Sequence, residues 1–196
     1  MKEKTIDFSK LKRALEILNE QLLLMDSPPV NLVVCGGSAL IATGLVSRTT
    51  QDIDVLATVT DAGLTDPEPF PDVLLKAAQR TGRLLNLPDD WLNCGPADLF
   101  RMGLPEGFAG RLIKYPVGDA LCIYFAARLD QIYFKLYASV DRGGYHINDL
   151  QKLAPSVDEL TDAAKWCMTQ DVSEGFRFLL VDMLEKLGWN DVARRI

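Results

Sequence analysis

The pattern of apolar and polar positions divides the chain into a strand-bearing front and a helical back. In Phe8–Leu24, Leu11, Leu15, Leu18 and Leu22 fall on one stripe with Ala14 and Ile17 beside it, the spacing of an amphipathic helix. Ser27-Pro28-Pro29 stops that helix. Val30–Cys35 is a short apolar run interrupted only by Asn31, and it predicts a strand. Gly36-Gly37-Ser38 turns the chain, Ser38–Val46 predicts a short helix that loses its pattern near Gly44, and Thr50–Thr58 predicts a second strand. Residues 61–72 form a proline-rich, acidic loop. Val73–Leu85 predicts a helix, and Leu87–Gly110 is irregular except for a helical turn around Ala97–Met102. Arg111–Tyr115 and Leu121–Ala126 predict further strands joined by the turn Pro116-Val117-Gly118-Asp119.

Beyond residue 127 the period is helical throughout. Leu129–Val140 is a mixed apolar and aromatic helix with Lys135 inside it, and Tyr145–Leu153 is a second helical segment. Ser156 reads as an N-cap with Glu159 as its capping-box partner, opening a helix that runs to about Met168. Val172–Leu187 predicts a last helix, ended by Gly188. The reading is a mixed α/β core over residues 1–127 and a helical C-terminal region over 128–196 packed on it.

Two places on this framework carry candidate chemistry. Asp52 and Asp54 stand one residue apart, so on a strand they point the same way while Ile53 and Val55 enter the core. Carboxylates held side by side repel unless a positive charge sits between them, and a hard cation with oxygen ligands, Mg²⁺ above all, suits that place. Separated from Asp52 by thirteen residues, Gly36-Gly37-Ser38 opens a helix start after an apolar strand, a natural place for phosphate. Metal-binding carboxylates with a phosphate-binding turn point to phosphoryl or nucleotidyl transfer.

Composition narrows the setting. With 196 residues, 48% hydrophobic, and a mean hydropathy of +0.05, the chain has ample apolar material for a core. No apolar run reaches the roughly 18 residues that span a membrane. The first residues carry charge of both signs and lead into no apolar signal, so the expected location is the cytoplasm. Cys35, Cys94, Cys122 and Cys167 lie far apart with no paired spacing, and are expected to be free, buried thiols. The one histidine, His146, reads as a loop residue rather than a base, and zinc chemistry lacks ligands. A net charge of −6 argues against sequence-independent DNA binding, but not against a nucleotide in a local positive pocket. Trp91, Trp166 and Trp189 are expected to be packing anchors.

With these residues in place, the chain resembles the nucleotidyltransferase superfamily, whose pattern is an apolar strand, Gly-Ser, a helix and an Asp-x-Asp strand. It looks most like small bacterial nucleotidyltransferase-like proteins related to AbiEii abortive-infection toxins. Arg48, Thr50, Asp52, Ile53 and Asp54 match their Arg-x-Thr-x-Asp-Ile-Asp element, and Lys135-Leu136-Tyr137-Ala138, Arg142 and Asp149-Leu150 match a later one. The resemblance implies a mixed sheet flanked by helices, with an α/β (α+β) core and a helical C-terminal part. It implies that Gly36, Gly37 and Ser38 cradle an NTP, with Arg48, Thr50 and Asp149 completing the nucleotide site. It implies that Asp52 and Asp54 bind Mg²⁺, or Mn²⁺ in its place, and that Lys135 contacts phosphate as a catalytic residue.

The implied activity is transfer of a nucleotidyl group from an NTP to a hydroxyl of a protein, an RNA end or a small molecule, with a cognate antitoxin as a further partner. One departure stands out: the strands at 111–115 and 121–126 carry none of the third carboxylates many active members place on a following strand. The alternative is therefore a catalytically inactive module that binds nucleotide or protein. An antibiotic-modifying adenylyltransferase is a third option, since an acidic pocket suits a cationic drug.

Overall fold

The computed structural model describes residues 5–196. They form two compact units, one ending at Ala126 and one spanning Ala127–Ile196. In the first unit, α1 (Phe8–Leu24) is capped by the Asp7 side chain, which accepts from the Lys10 amide. It buries the predicted stripe of Leu11, Leu15, Leu18 and Leu22. β1 (Val30–Cys35) runs directly into α2 (Gly36–Ala42), then come β2 (Ile53–Thr60), β3 (Gly63–Thr65) and α3 (Asp72–Leu85). β4 (Leu92–Asn93), α4 (Ala97–Met102), α5 (Phe108–Arg111), β5 (Ile113–Pro116) and β6 (Leu121–Phe125) complete it.

The six-stranded mixed sheet has the order β3-β2-β1-β6-β5, with β4 also pairing with β2. β1 is antiparallel to β2 and parallel to β6, and β4 is parallel to β2. The outer edge of β2 is thus shared: β3 takes Thr58–Thr60, and β4 takes Ile53 and Asp54. Alternation along the strands sends Leu32, Val34, Ile53, Val55, Leu121 and Ile123 into a cluster with the apolar stripe of α1 and with Leu74 and Ala77 of α3. Trp91 is 1% exposed in that cluster and donates its Nε1–H to the Ala78 carbonyl at 3.0 Å, so it is the expected packing anchor.

Several local expectations shift. The helix expected from Ser38 already begins at Gly36, whose φ of +70° lets strand turn into helix without a separate bend, and it ends at Ala42. The second strand begins at Ile53 rather than Thr50, so Asp54 lies in it and Asp52 just before it. In place of a ladder, Thr50 forms a single bridge with Ile6. The 61–72 loop holds the short hairpin strand β3, tied by a 2.7 Å hydrogen bond between the Thr58 and Thr65 hydroxyls. The irregular stretch holds β4 and α5 as well as the expected turn, now α4.

The second unit is helical: α6 (Arg128–Arg142), α7 (Tyr145–Lys152), α8 (Val157–Gln170), α9 (Glu174–Lys186) and α10 (Asn190–Ala193). His146 lies in the first turn of α7 and not in a loop. α9 starts later than expected because the Ser173 side chain caps it by accepting from the Phe176 amide. The Ser156–Glu159 capping box forms as predicted. Trp166 of α8 packs against Tyr133, Phe134 and Tyr137 of α6, at centroid distances of 5.7, 5.9 and 6.2 Å. Arg128 joins the elements of this unit: it donates to the Leu153 and Ala154 carbonyls at 2.9 Å and pairs with Glu159 at 2.7 Å. All four cysteines are thiols outside any disulfide, with Cys35 and Cys167 buried. Among the described residues no helix is long and apolar enough to cross a membrane.

The Arg128 guanidinium, and then the Ser156 amide, hold the Glu159 carboxyl below its usual range. The folded state therefore binds that proton less readily than the unfolded chain. Its stabilisation is complete above the ordinary carboxylate value of about 4.3 and is lost as the pH falls from there through the lowered folded value. We expect Ser156→Ala to lower stability by about 1 kcal/mol at neutral pH. Glu159→Gln should flatten part of the acid limb in urea unfolding followed against pH, and an unchanged limb would refute the assignment.

Candidate functional site

The candidate site lies where β1 ends and β2 begins. Cys35, the last residue of β1, pairs with Asp54, and Asp54 pairs on its other side with Asn93 of β4. Paired residues in a sheet project from the same face. Asp54 thus stands on the face away from Ile53 and Val55, which are buried in the core cluster.

Glycine at 36 and 37 leaves room for the polar groups around it. A Cβ on Gly36 would land on Asp54 Oδ2. On Gly37 it would lie 2.8 Å from Thr50 Oγ1 and 2.9 Å from Arg48 Nη2. Thr50 in turn donates its hydroxyl to Asp52 Oδ1 at 3.2 Å. Asp54 is therefore against the first glycine, and Asp52, through Thr50, beside the second. Arg48 donates Nη1–H to the Thr49 carbonyl at 2.7 Å, which steadies its guanidinium next to Gly37.

Although Asp52 precedes the strand, its backbone is held at both sides. Ile6 and Thr50 exchange hydrogen bonds of 2.7 and 2.9 Å, and the Ile53 amide donates to the Trp91 carbonyl at 2.6 Å. Asp52, Asp54, Arg48 and Gly36 are half-buried, so the site meets solvent. Ser38 sits differently. It is fully buried, and its hydroxyl faces the Cys35 carbonyl at 3.5 Å, a partner it must leave before it can face a phosphate.

Lys135 and Asp149 belong to the helical unit. They form an ion pair of 2.9 Å between α6 and α7, with side chains 5% and 1% exposed, and the Lys135 ammonium lies 5.5 Å from the centre of the Tyr145 ring. Lys135 therefore does not snorkel to solvent.

Sequence reasoning passed over Asn93, which adjoins Asp54 only through the short parallel strand β4. Its neighbour Cys94 is not an activated nucleophile: burial, with Glu68 and Asp66 nearby, pushes its thiol up to about 12. Two of the four acidic residues of the 61–72 loop are matched by one arginine: Arg101 pairs with Asp66 at 2.7 Å and with Glu68, and also with Asp98 at 2.8 Å. Among the described residues, no group of three or more His, Cys, Asp or Glu side chains is placed to hold a metal.

The chain belongs to a family described as nucleotidyltransferases of unknown function (DUF6036), whose model matches residues 9–158. The match runs from α1 into α8 and includes every site residue expected from the sequence. Searches of curated proteins and of solved structures gave no match.

Two predictions separate packing from function. Gly36 and Gly44 have nearly equal φ, +70° and +72°, but nothing lies within 4 Å of a Cβ on Gly44. Gly44→Ala should lose about 1 kcal/mol from backbone strain alone. Gly36→Ala should lose clearly more, because its methyl group displaces the Asp54 carboxylate; equal losses in urea melts would refute the close approach. Breaking the buried pair by Lys135→Met or Asp149→Leu should cost about 3–5 kcal/mol, and the double substitution should recover most of it. A double variant as unstable as either single one would show that the pair is not the balancing interaction.

Proposed function

We propose that this protein is a Mg²⁺-dependent nucleotidyltransferase, acting in the cytoplasm, that moves a nucleotidyl group from an NTP to a hydroxyl of a protein, an RNA end or a small molecule. The observation that carries this reading is the placement of Asp52, Asp54 and Arg48 around the side-chain-free Gly36-Gly37 corner. The donor set suits the ion. Asp52 and Asp54 offer only hard oxygen ligands, and Mg²⁺ is commonly held by one or two carboxylates with substrate phosphates completing its shell. The space a Cβ would fill at Gly36 keeps Asp54 Oδ2 close to the backbone corner where phosphate would lie.

The chain's own groups divide the work. Asp52 and Asp54 would hold the ion, which when bound neutralises charge on the triphosphate and on the departing pyrophosphate. Gly36 and Gly37 let phosphate oxygens approach the main chain. Arg48 offers a planar, permanently charged fork suited to a phosphate. Ser38 can donate to the same phosphates only after leaving the Cys35 carbonyl. In the reaction, the acceptor oxygen bonds to the α-phosphorus, the bond from that phosphorus to the bridging oxygen breaks, and the acceptor proton leaves for solvent. Lys135 and Asp149 enter this proposal only as a pair whose charges already match. We extend the reading to a toxin whose cognate antitoxin binds it, on the strength of the Lys-Leu-x-Ala and Asp-Leu elements.

In thermal-shift measurements, NTP with Mg²⁺ should stabilise the wild type by a few degrees and leave Asp54→Asn unmoved. Label from an α-labelled NTP should pass to a component of cell extract with the wild type and not with Asp54→Asn. Stabilisation without transfer would select the inactive, nucleotide-binding alternative. No shift with any NTP would overturn the site itself. Growth arrest on expression of the wild type but not of Asp54→Asn tests the toxin extension.

A further inference from the structure

Asn93 lies directly beside Asp54. The two are register partners in the parallel pairing of β2 with β4, so their side chains share a face, while Ile53 and Leu92 turn to the other. Both oxygens border Gly95: a Cβ there would lie 2.9 Å from Asn93 Oδ1 and 3.9 Å from Asp54 Oδ1. Gly95 is exposed and Asn93 half-buried, so that point opens to solvent.

The local hydrogen bonds also fix which end of the amide faces it. Asn93 Oδ1 accepts from the Gly95 amide at 2.7 Å, and Nδ2 donates to the Asp90 carbonyl at 3.3 Å. A flipped amide would set a donor against a donor and an acceptor against an acceptor. One lone pair of Oδ1 takes the Gly95 N–H, leaving the second for a cation. An aspartate here would turn a carboxylate oxygen toward the Asp90 carbonyl, so the turn is built for a neutral side chain.

Resting on the function proposed above, we infer that Asn93 Oδ1 is a third, neutral oxygen donor to the cation held by Asp52 and Asp54, so that the cation binds firmly only together with a nucleotide. Two carboxylates and one amide oxygen leave the protein ligands one negative charge short of a three-carboxylate site. The phosphates of the nucleotide supply the missing charge. Asn93 thereby couples the two ligands: cation and nucleotide each bind more tightly when the other is present.

Mn²⁺ titrations of the full chain, read by the loss of the free-ion electron paramagnetic resonance signal, test this without any turnover. They are run with and without a non-hydrolysable NTP. The wild type should bind Mn²⁺ at least tenfold more tightly with the analogue than without it. Asn93→Asp should raise affinity for Mn²⁺ alone about tenfold or more. Asn93→Leu should weaken binding in the presence of the analogue about tenfold or more, in the range lost when metal-site neighbours are removed. Asn93→Ser, which keeps a small polar group on the turn, replaces it should the leucine variant fail to fold. Wild-type affinity in all Asn93 variants would overturn this inference and leave the Asp52–Asp54 site standing. No Mn²⁺ binding by the wild type with the analogue would overturn both.

Discussion

The first turn of α2 carries no side chains where it meets β2, and the candidate site depends on that gap. Asp54 Oδ2 occupies the space of a missing Cβ at Gly36, and Thr50 and Arg48 occupy that at Gly37. Polar groups packed directly on main chain have little freedom, because the sheet fixes one side of the contact and the helix the other. Asp54 takes its position from pairing with β1 and β4. Asp52, outside the strand, takes its position from the Ile6–Thr50 bridge and from the bond between the Ile53 amide and the Trp91 carbonyl. The apolar cluster under the sheet therefore reaches the site through Ile53 and Val55, which flank Asp54, and through the Trp91 carbonyl. Functional groups gain precision when held by rigid elements in this way.

How much of this the sequence discloses follows from the range of each signal. α1, β1, α3 and β6 show their apolar spacing over enough residues to be read, and the Ser156–Glu159 box is a local motif that formed as written. The meeting of Gly36-Gly37 with Arg48, Thr50, Asp52 and Asp54 was also legible, since a strand, a short helix and a returning strand leave those residues few other places to be. The start of β2 was not, because Thr50 adjoins the strand in sequence but joins Ile6 in an isolated bridge rather than a ladder. β3 and β4 are too short to show a period. Ser38 reads as a ligand by type, yet the geometry of its turn seats its hydroxyl beside the Cys35 carbonyl. Asn93 has no local signal at all: its place beside Asp54 comes from the pairing of strands some forty residues apart.

The helical unit shows the other limit of reading charge from sequence. Lys135 and Asp149 are both buried and both charged in type, which is as much the mark of a structural pair as of a site. A lysine among apolar helix neighbours gives no sign, along the chain, of whether its partner is solvent, a ligand or a carboxylate. Here α7 brings Asp149 to it at 2.9 Å. Arg128 behaves in the same way, serving two carbonyls and Glu159 together. Such networks are stable when every member is matched and costly when one is removed.

Charge ties the site to the molecule as a whole. A chain of net charge −6 repels a free triphosphate at long range, and Asp52 and Asp54 add to that at the site itself. Arg48 opposes it with one positive charge beside Gly37. In the proposed reaction, a nucleotide already bound to a divalent cation would carry less negative charge, and so would meet less repulsion while bringing an ion to the carboxylates. A third carboxylate at position 93 would tighten the grip on the ion but deepen the repulsion of the nucleotide before the ion was in place. As the proposed ligand, the amide of Asn93 would supply an oxygen without that penalty, and the Asp90 carbonyl that accepts from its Nδ2 favours the amide over the acid. Under the proposed function, the neutrality at this position accords with the acidity of the rest: a polyanionic nucleotide approaching a chain of net charge −6 would gain by coming with its own counter-charge.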